Sequence, residues 1–528
     1  MTRRTRLILP IVATALLTAG ASGLAQSSEP VDLDAITRIK AEGFERTQVM
    51  DVAWWLTEVH GPRLTNSPQM RAAAEWTAAK AKDWGLANVA LEPWGPNSDF
   101  GRGWSNERTV LHVVKPTPWP VLAYPRAWTP GTDGAVIADA VLAPMASEAD
   151  FAKYRGKLKG RVVLLQPERS VAPLFEAPAR RLTAEDLDDL QVQPVAPPPA
   201  GPGGPGGPGG GQQLIAKRNA FLLAEGVVAV LEPANGRGDS GSLLVGGGGP
   251  RHPKDPPVPP QLAVATEHYN RIARLLDRGQ SVTLEADVRN TFHDADLSMY
   301  NIVAEIPGTD KADEVVMLGA HFDSWHAGTG SVDNASGSAV MLEAMRILEQ
   351  SGVRLRRTVR MALWTGEEQG LIGSRMYVRN HFADPADMKL KPGHEKLAGY
   401  FNMDNGTGQY RGVYLQGNEA VAPIFRTWMA PFANLGMTHL TIRNTGGTDH
   451  LAFNAVGLPG FQFIQDPIQY SSRTHHSNLD VYDQLIAADL MKNAVITAAF
   501  VYHTANREQL LPRKPLPAAT PPPSTSQP

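Results

Sequence analysis

Apolar and polar positions fall into three textures along the chain. Residues 51–64 and 68–84 place apolar side chains at helical spacing, with Ala72, Ala73, Trp76, Ala79 and Trp84 forming one stripe. They predict two helices joined by a turn. From about residue 118 the pattern shortens to β-type runs at 134–142, 161–166, 226–232 and 281–288, separated by Pro and Gly. From residue 301, strand-like runs at 315–318, 357–364 and 399–404 alternate with helix-like runs at 336–349 and 371–380. That alternation predicts an α/β fold, a mostly parallel sheet flanked by helices. Sheets of this kind bind ligands beyond the carboxyl ends of their strands.

A chain of 528 residues is too long for one ordinary core. The textures divide it into a main domain contributed by 26–117 and 291–512 and a β-rich domain at 118–290, inserted between the two parts. Residues 194–211 read PVAPPPAGPGGPGGPGGG, a loop composition that cannot bury apolar surface. Residues 513–528, rich in Pro, Ser and Thr, read as a disordered tail. Residues 1–25 have the layout of an export signal: Arg3, Arg4 and Arg6, an apolar stretch at 7–17, and Gly23-Leu24-Ala25 as a small-residue cleavage site. The apolar stretch falls short of the ~20 residues of a membrane span. The expectation is a secreted or periplasmic protein with no membrane anchor.

Net charge is −3 with no long basic run, which excludes nucleic acid as the main partner. Cysteine is absent, which excludes disulfides, thiolate metal ligands and a cysteine nucleophile. Any bound metal must then rest on histidine and carboxylates.

Five segments carry such groups: Gly319-Ala320-His321-Phe322-Asp323, Val332-Asp333-Asn334-Ala335-Ser336-Gly337, Trp364-Thr365-Gly366-Glu367-Glu368, Asn402-Met403-Asp404, and His475-His476-Ser477-Asn478-Leu479-Asp480. The first, third and fourth follow or close strand-like runs, so their side chains project toward one crevice. Imidazole nitrogen and carboxylate oxygen are zinc donors. The set leaves one glutamate spare, as a hydrolase needs a base not consumed as a ligand. Singly, each motif has a plainer reading. His-x-Asp is usually a surface pair, and Asp333 stands where a helix N-cap would, a role compatible with ligation. Asp323 is placed to orient His321. Other hydrolase signatures fail: His394-Glu395 is followed by Ala398 where a second zinc-binding His would stand, and Gly238-Asp239-Ser240-Gly241-Ser242 lacks the last glycine of a nucleophile elbow.

At these residues the sequence resembles the co-catalytic zinc exopeptidases of the aminopeptidase/glutamate-carboxypeptidase superfamily, in particular the carboxypeptidase Q group. The likeness rests on Tyr300-Asn301-Ile302-Val303-Ala304-Glu305, on His321-Phe322-Asp323-Ser324-Trp325 and on residues 363–370, LWTGEEQG. It implies the zinc-exopeptidase fold with an inserted protease-associated domain, and two Zn2+ per chain. Asp333 would bridge the metals, His321 and Asp404 completing one site, Glu368 and His476 the other. Glu367 would be the general base, and Asp323, as partner of His321, a further catalytic residue. His476 is preferred to His475 because Ser477 follows it and Asp480 comes three residues later. The likeness also implies small peptides with free termini as substrates. His450 and Phe453 follow the broader aminopeptidase pattern, which leaves amino- versus carboxypeptidase polarity open. Asp449 and His450 are the candidate substrate contacts. Two alternatives are a single-zinc acyltransferase of the glutaminyl-cyclase kind and an inactive receptor-like module. A homodimer stays open as an assembly.

Overall fold

The computed structural model describes residues 29–95, 100–192, 209–234 and 241–520. The export-signal residues and most of the 194–211 segment lie outside them.

One eight-stranded sheet runs in the order Ala87–Pro93, Tyr300–Ile306, Arg357–Trp364, Lys311–His321, Leu397–Asn402, Gly460–Gln465, Tyr410–Tyr414, His439–Thr441. Its four central strands, Arg357–Trp364 to Gly460–Gln465, are mutually parallel. Antiparallel pairings flank them on both sides, so the sheet is mixed, not mostly parallel throughout. Parallel neighbours need a crossover, which helix Ser336–Gln350 supplies between Lys311–His321 and Arg357–Trp364.

The central strands are apolar over most of their length because both faces are covered. Val316 and Leu318 enter one hydrophobic cluster and Met317 another; Met361 and Leu363 face the first, Ala362 and Trp364 the second. Helix Ser336–Gln350, buried along most of its length, packs against helix Ala487–Asn506 in the first cluster.

A second eight-stranded sheet is also mixed: Trp119–Pro120, Gly103–Lys115, Thr283–His293, Val136–Leu142, Val162–Leu164, Ala229–Pro233, Gln261–Val264, Ala123–Pro125. It begins at Gly103 and ends at His293, wider than the expected 118–290. The polar stretch Ser105 to Thr109 interrupts the hydrophobic alternation of its longest strand and hides it from pattern reading. This region is also less purely β than expected, since it contains helices Ala184–Gln191, Gly209–Glu225 and Thr266–Asp277. Gly209, Gly210 and Gly211, expected in the loop, open the second of these.

The C-terminal segment departs from the expected tail as well. Lys514 donates to the Gln416 carbonyl and the Thr520 amide to Pro385 O, tying the chain down as far as Thr520. No helix among the described residues is long and apolar enough to cross a membrane.

Candidate metal centre

Strand register explains how distant residues meet. His321 closes its strand opposite Trp364, so the turn carrying Glu367 and Glu368 starts beside it. Asp404 stands two residues beyond strand Leu397–Asn402, whose Asn402 pairs with Gly319. Gly366 makes the turn possible: its φ is +70°, and a Cβ there would stand 2.7 Å from the Trp94 ring.

Asp333 lies in the segment Ser331–Ala335, where its own backbone is non-helical (φ −129°, ψ 86°), just before helix Ser336–Gln350. Its two carboxylate oxygens face different partners. Oδ1 is 3.1 Å from His321 Nε2, which is also 3.3 Å from Asp404 Oδ1. Oδ2 is 3.4 Å from His476 Nε2, which is 2.8 Å from Glu368 Oε2. All five expected ligands therefore converge, two on each side of Asp333. His475 stacks on His476 at 3.6 Å, but its Nε2 is 3.8 Å from Asp333 Oδ2, the longer of the two approaches.

The loops behind this cluster are pinned by polar groups. Asp480 accepts the amides of Val332 at 2.5 Å and Asp333 at 3.2 Å. Asn334 Oδ1 accepts the Gly337 amide at 2.9 Å, so Asn334 serves the helix start and leaves the Asp333 carboxylate to the cluster. The fully buried Arg63 donates to the carbonyls of Leu56, Phe322, Thr329 and Gly330, strapping together the loops after His321 and before Asp333.

Asp323 meets His321 as expected, and its carboxylate has a second task. The carbonyl of Asp323, not its carboxylate, stands 2.9 Å from His321 Nδ1; the carboxylate is 4.0 Å away. That buried carboxylate instead accepts the amides of Glu367 at 3.1 Å and Glu368 at 3.3 Å, and the Thr65 hydroxyl at 2.8 Å. It holds the glutamate turn.

Asp449 and His450 are both fully buried, which does not suit the substrate contacts expected of them. His450 Nε2 faces Gln416 Nε2 at 2.9 Å and the Thr445 carbonyl at 3.1 Å. Asp449 lies close enough to Glu367 to raise its pKa.

Tyr470 was missed altogether. Its hydroxyl donates toward Asp333 Oδ1 at 3.3 Å and Asp404 Oδ1 at 3.4 Å. It stands six residues before His476, in a segment with no motif of its own.

The titrating groups describe a site built for positive charge. Burial pushes Glu367 and Glu368 well above the usual carboxylate range, with neighbouring carboxylates adding to the rise and His321 opposing it. Burial likewise pushes Asp449 up to about 7. Burial disfavours the His321 imidazolium, yet Asp404 and Glu367 outweigh it and its pKa rises. Asp333 Oδ2 and Glu368 Oε1 are buried and accept no hydrogen bond. Unpartnered buried carboxylate oxygens beside imidazole nitrogens fit a divalent cation, since buried like charges need a counter-charge. His321, Asp333 and Glu368 offer ligand atoms all within 4.8 Å of one another, as do Asp333, His475 and His476.

Residues 301–501 match the model of Peptidase family M28. Carboxypeptidase Q of Bos taurus is 29% identical over 261 residues, covering 49% of this chain and 52% of that protein. Leupeptin-inactivating enzyme 1 of Streptomyces exfoliatus is 34% identical over 170 residues, 32% of this chain and 36% of the other. The chain thus spans about half the length of the carboxypeptidase Q that it matches. In fold, a Peptidase M28 precursor from Shewanella amazonensis superposes with a TM-score of 0.64 at 22% identity, covering 92% of this chain and 98% of that one. A zinc aminopeptidase from Bacillus subtilis gives 0.53 at 18% identity, covering 88% and 95%. In sequence over residues 301–501, and in fold over most of its length, the chain is similar to the peptidases of family M28.

Proposed function

We propose that this protein is an exported metallo-exopeptidase holding two zinc ions and hydrolysing dipeptides and short peptides with free termini. The observation that carries the reading is the Asp333 carboxylate, whose two oxygens address separate His/carboxylate pairs. His321 and Asp404 would hold one ion, His476 and Glu368 the other, with Asp333 shared. When bound, the zinc pair supplies Lewis acidity toward the peptide carbonyl and lowers the pKa of water.

Glu367 is assigned to neither ion, and its carboxylate makes no hydrogen bond among the described residues. Burial raises its pKa, which makes it a better proton acceptor than an ordinary carboxylate. Glu367 accepts a proton from the attacking water, whose oxygen bonds to the carbonyl carbon. As the C–N bond breaks, Glu367 returns the proton to the departing nitrogen. Asp323 keeps Glu367 in reach by holding its backbone amide. The second sheet is read as the protease-associated insertion. A cavity of about 280 Å³ lined by Glu368, His476 and residues of that sheet supports small substrates over folded proteins.

Metal analysis of the purified protein, paired with hydrolysis of peptides free or blocked at each end, tests this reading. Two zinc equivalents and cleavage lost on chelation are expected. Full activity after exhaustive demetallation, or internal cleavage of a doubly blocked peptide, would sink it.

A further inference from the structure

The cavity beside the metal centre has a second chemical end. Glu368 and His476 line it together with Arg126, Gln166 and Glu232 from the second sheet region, and with Trp325, whose indole lies 6.1 Å from the His476 ring. Its volume of about 280 Å³ sits at the lower edge of the roughly 300–1,000 Å³ typical of small-ligand sites.

The charge at this far end is not balanced. Glu232 is shared by two guanidinium groups, Arg126 Nη1 at 2.6 Å and Arg218 Nη2 at 3.2 Å. Two cations on one carboxylate leave one positive charge in excess. Arg126 also donates from Nε and Nη2 to the Gly247 carbonyl, at 3.2 and 2.8 Å. Of the five N–H groups of an arginine, these contacts engage three and leave two. Arg126 is fixed from behind, keeps a third of its side chain exposed and retains donors for an anion.

Resting on the exopeptidase reading, we infer that Arg126 is a specificity-determining residue that receives a carboxylate of the peptide on the leaving-amine side of the scissile bond. Guanidinium and carboxylate match in geometry, and a partly desolvated pair of this kind is strong. The carboxylate comes either from the free C-terminus of a dipeptide or from an acidic side chain. In a dipeptide one cut satisfies both an aminopeptidase and a carboxypeptidase description, so this subsite selects length rather than polarity.

The test compares kcat/KM of metal-loaded protein for Ala-Leu, Ala-Leu-amide and Ala-Glu-amide. For the unmodified protein the acid-to-amide ratio for Ala-Leu should exceed 10. Recovery with Ala-Glu-amide would assign the subsite to acidic side chains, and no recovery would assign it to the α-carboxylate. Arg126→Gln should bring the ratio toward 1 through KM rather than kcat. Glu232→Gln, which removes the competing anion, should raise it. A purely structural role would lower rates for all three peptides together. A ratio near 1 in the unmodified protein, or an unchanged ratio in both variants, overturns the inference. Calorimetry of the same peptides on Glu367→Gln separates the two readings. A tenfold Kd preference for the acid with no turnover by unmodified protein would sink the exopeptidase and keep the subsite; turnover without preference would do the reverse.

Discussion

The two halves of the candidate metal centre are built by different means. His321 and Asp404 stand at the ends of adjacent parallel strands, with side chains 1% and 7% exposed. Their positions follow from sheet register, the most rigid element of the fold. His476 lies on a loop, adopts φ of +60° and keeps 30% of its side chain exposed. Besides the Asp480 bonds to Val332 and Asp333, that loop is tethered to the other sheet region: Val245 N donates to the His476 carbonyl at 3.1 Å, and Asn478 exchanges bonds with Leu243. One half is thus a property of a single sheet, whereas the other depends on how two sheet regions meet. A left-handed histidine at a functional loop is strain retained for position. The contrast predicts a tight, early-filled site and a labile site that responds to the second region.

Asp333 belongs to both halves, so the largest effect is expected there. Asp333→Ala should cost both metals, and the activity with them, measured as zinc stoichiometry after dialysis. Retention of one tightly bound ion would show that His321 and Asp404 suffice without the bridge. Next in size, Glu367→Gln should keep both ions while kcat falls about 10²–10⁴-fold, the usual range for a lost general base. Glu368→Gln should instead release the labile ion. Loss of zinc from the first variant and not the second would reverse the roles of these neighbours.

Asn478→Ala addresses the tether itself. Asn478 Oδ1 accepts the Leu243 amide at 2.7 Å, and its Nδ2 donates to the Gly241 carbonyl at 3.3 Å. Outer partners of metal ligands typically matter by about 10–100-fold in affinity. Titration with a zinc chelator should show that loss at one site only, with the His321–Asp404 site unmoved. Equal weakening of both sites would mean that the two halves are a single mechanical unit.

The same division governs what could be read from the sequence. His321, Glu368 and Asp404 were legible because apolar strand runs point at them, and strand ends face one crevice. His476 was legible only through its neighbours Ser477 and Asp480. Tyr470, Arg63 and Arg126 were not legible, since each acts through a tertiary contact that no local spacing encodes. Asp323 was legible as the partner of His321, but not that its carbonyl would serve the imidazole while its carboxylate holds the glutamate turn, because sequence does not tell which acceptor is used. The strand Gly103–Lys115 was lost for a related reason: its polar stretch, exposed at Glu107 and Arg108, breaks the apolar alternation.

The smallest effect concerns His326, where the two sheet regions touch. Its Nε2 is 2.8 Å from the Pro125 carbonyl, and its ring packs edge-on against Trp104 at 4.9 Å. Burial pushes its pKa down to about 4 from an ordinary 6.5, only partly offset by the Pro125 carbonyl. The unfolded chain therefore takes up a proton near pH 6.5, while the folded chain resists until about pH 4. Stability from neutral His326 is complete above pH 6.5, declines as pH falls through that window and levels off below it. The shift corresponds to a decline on the order of 3 kcal/mol across the window. His326→Gln cannot titrate, and its amide can still donate to Pro125. Between pH 6.5 and 4 its unfolding free energy should fall less steeply than that of the unmodified protein, by up to about that amount. Both proteins are compared without metal, so that ligand protonation is common to the two curves. Parallel curves would mean that the junction between the two sheet regions already opens to water around His326.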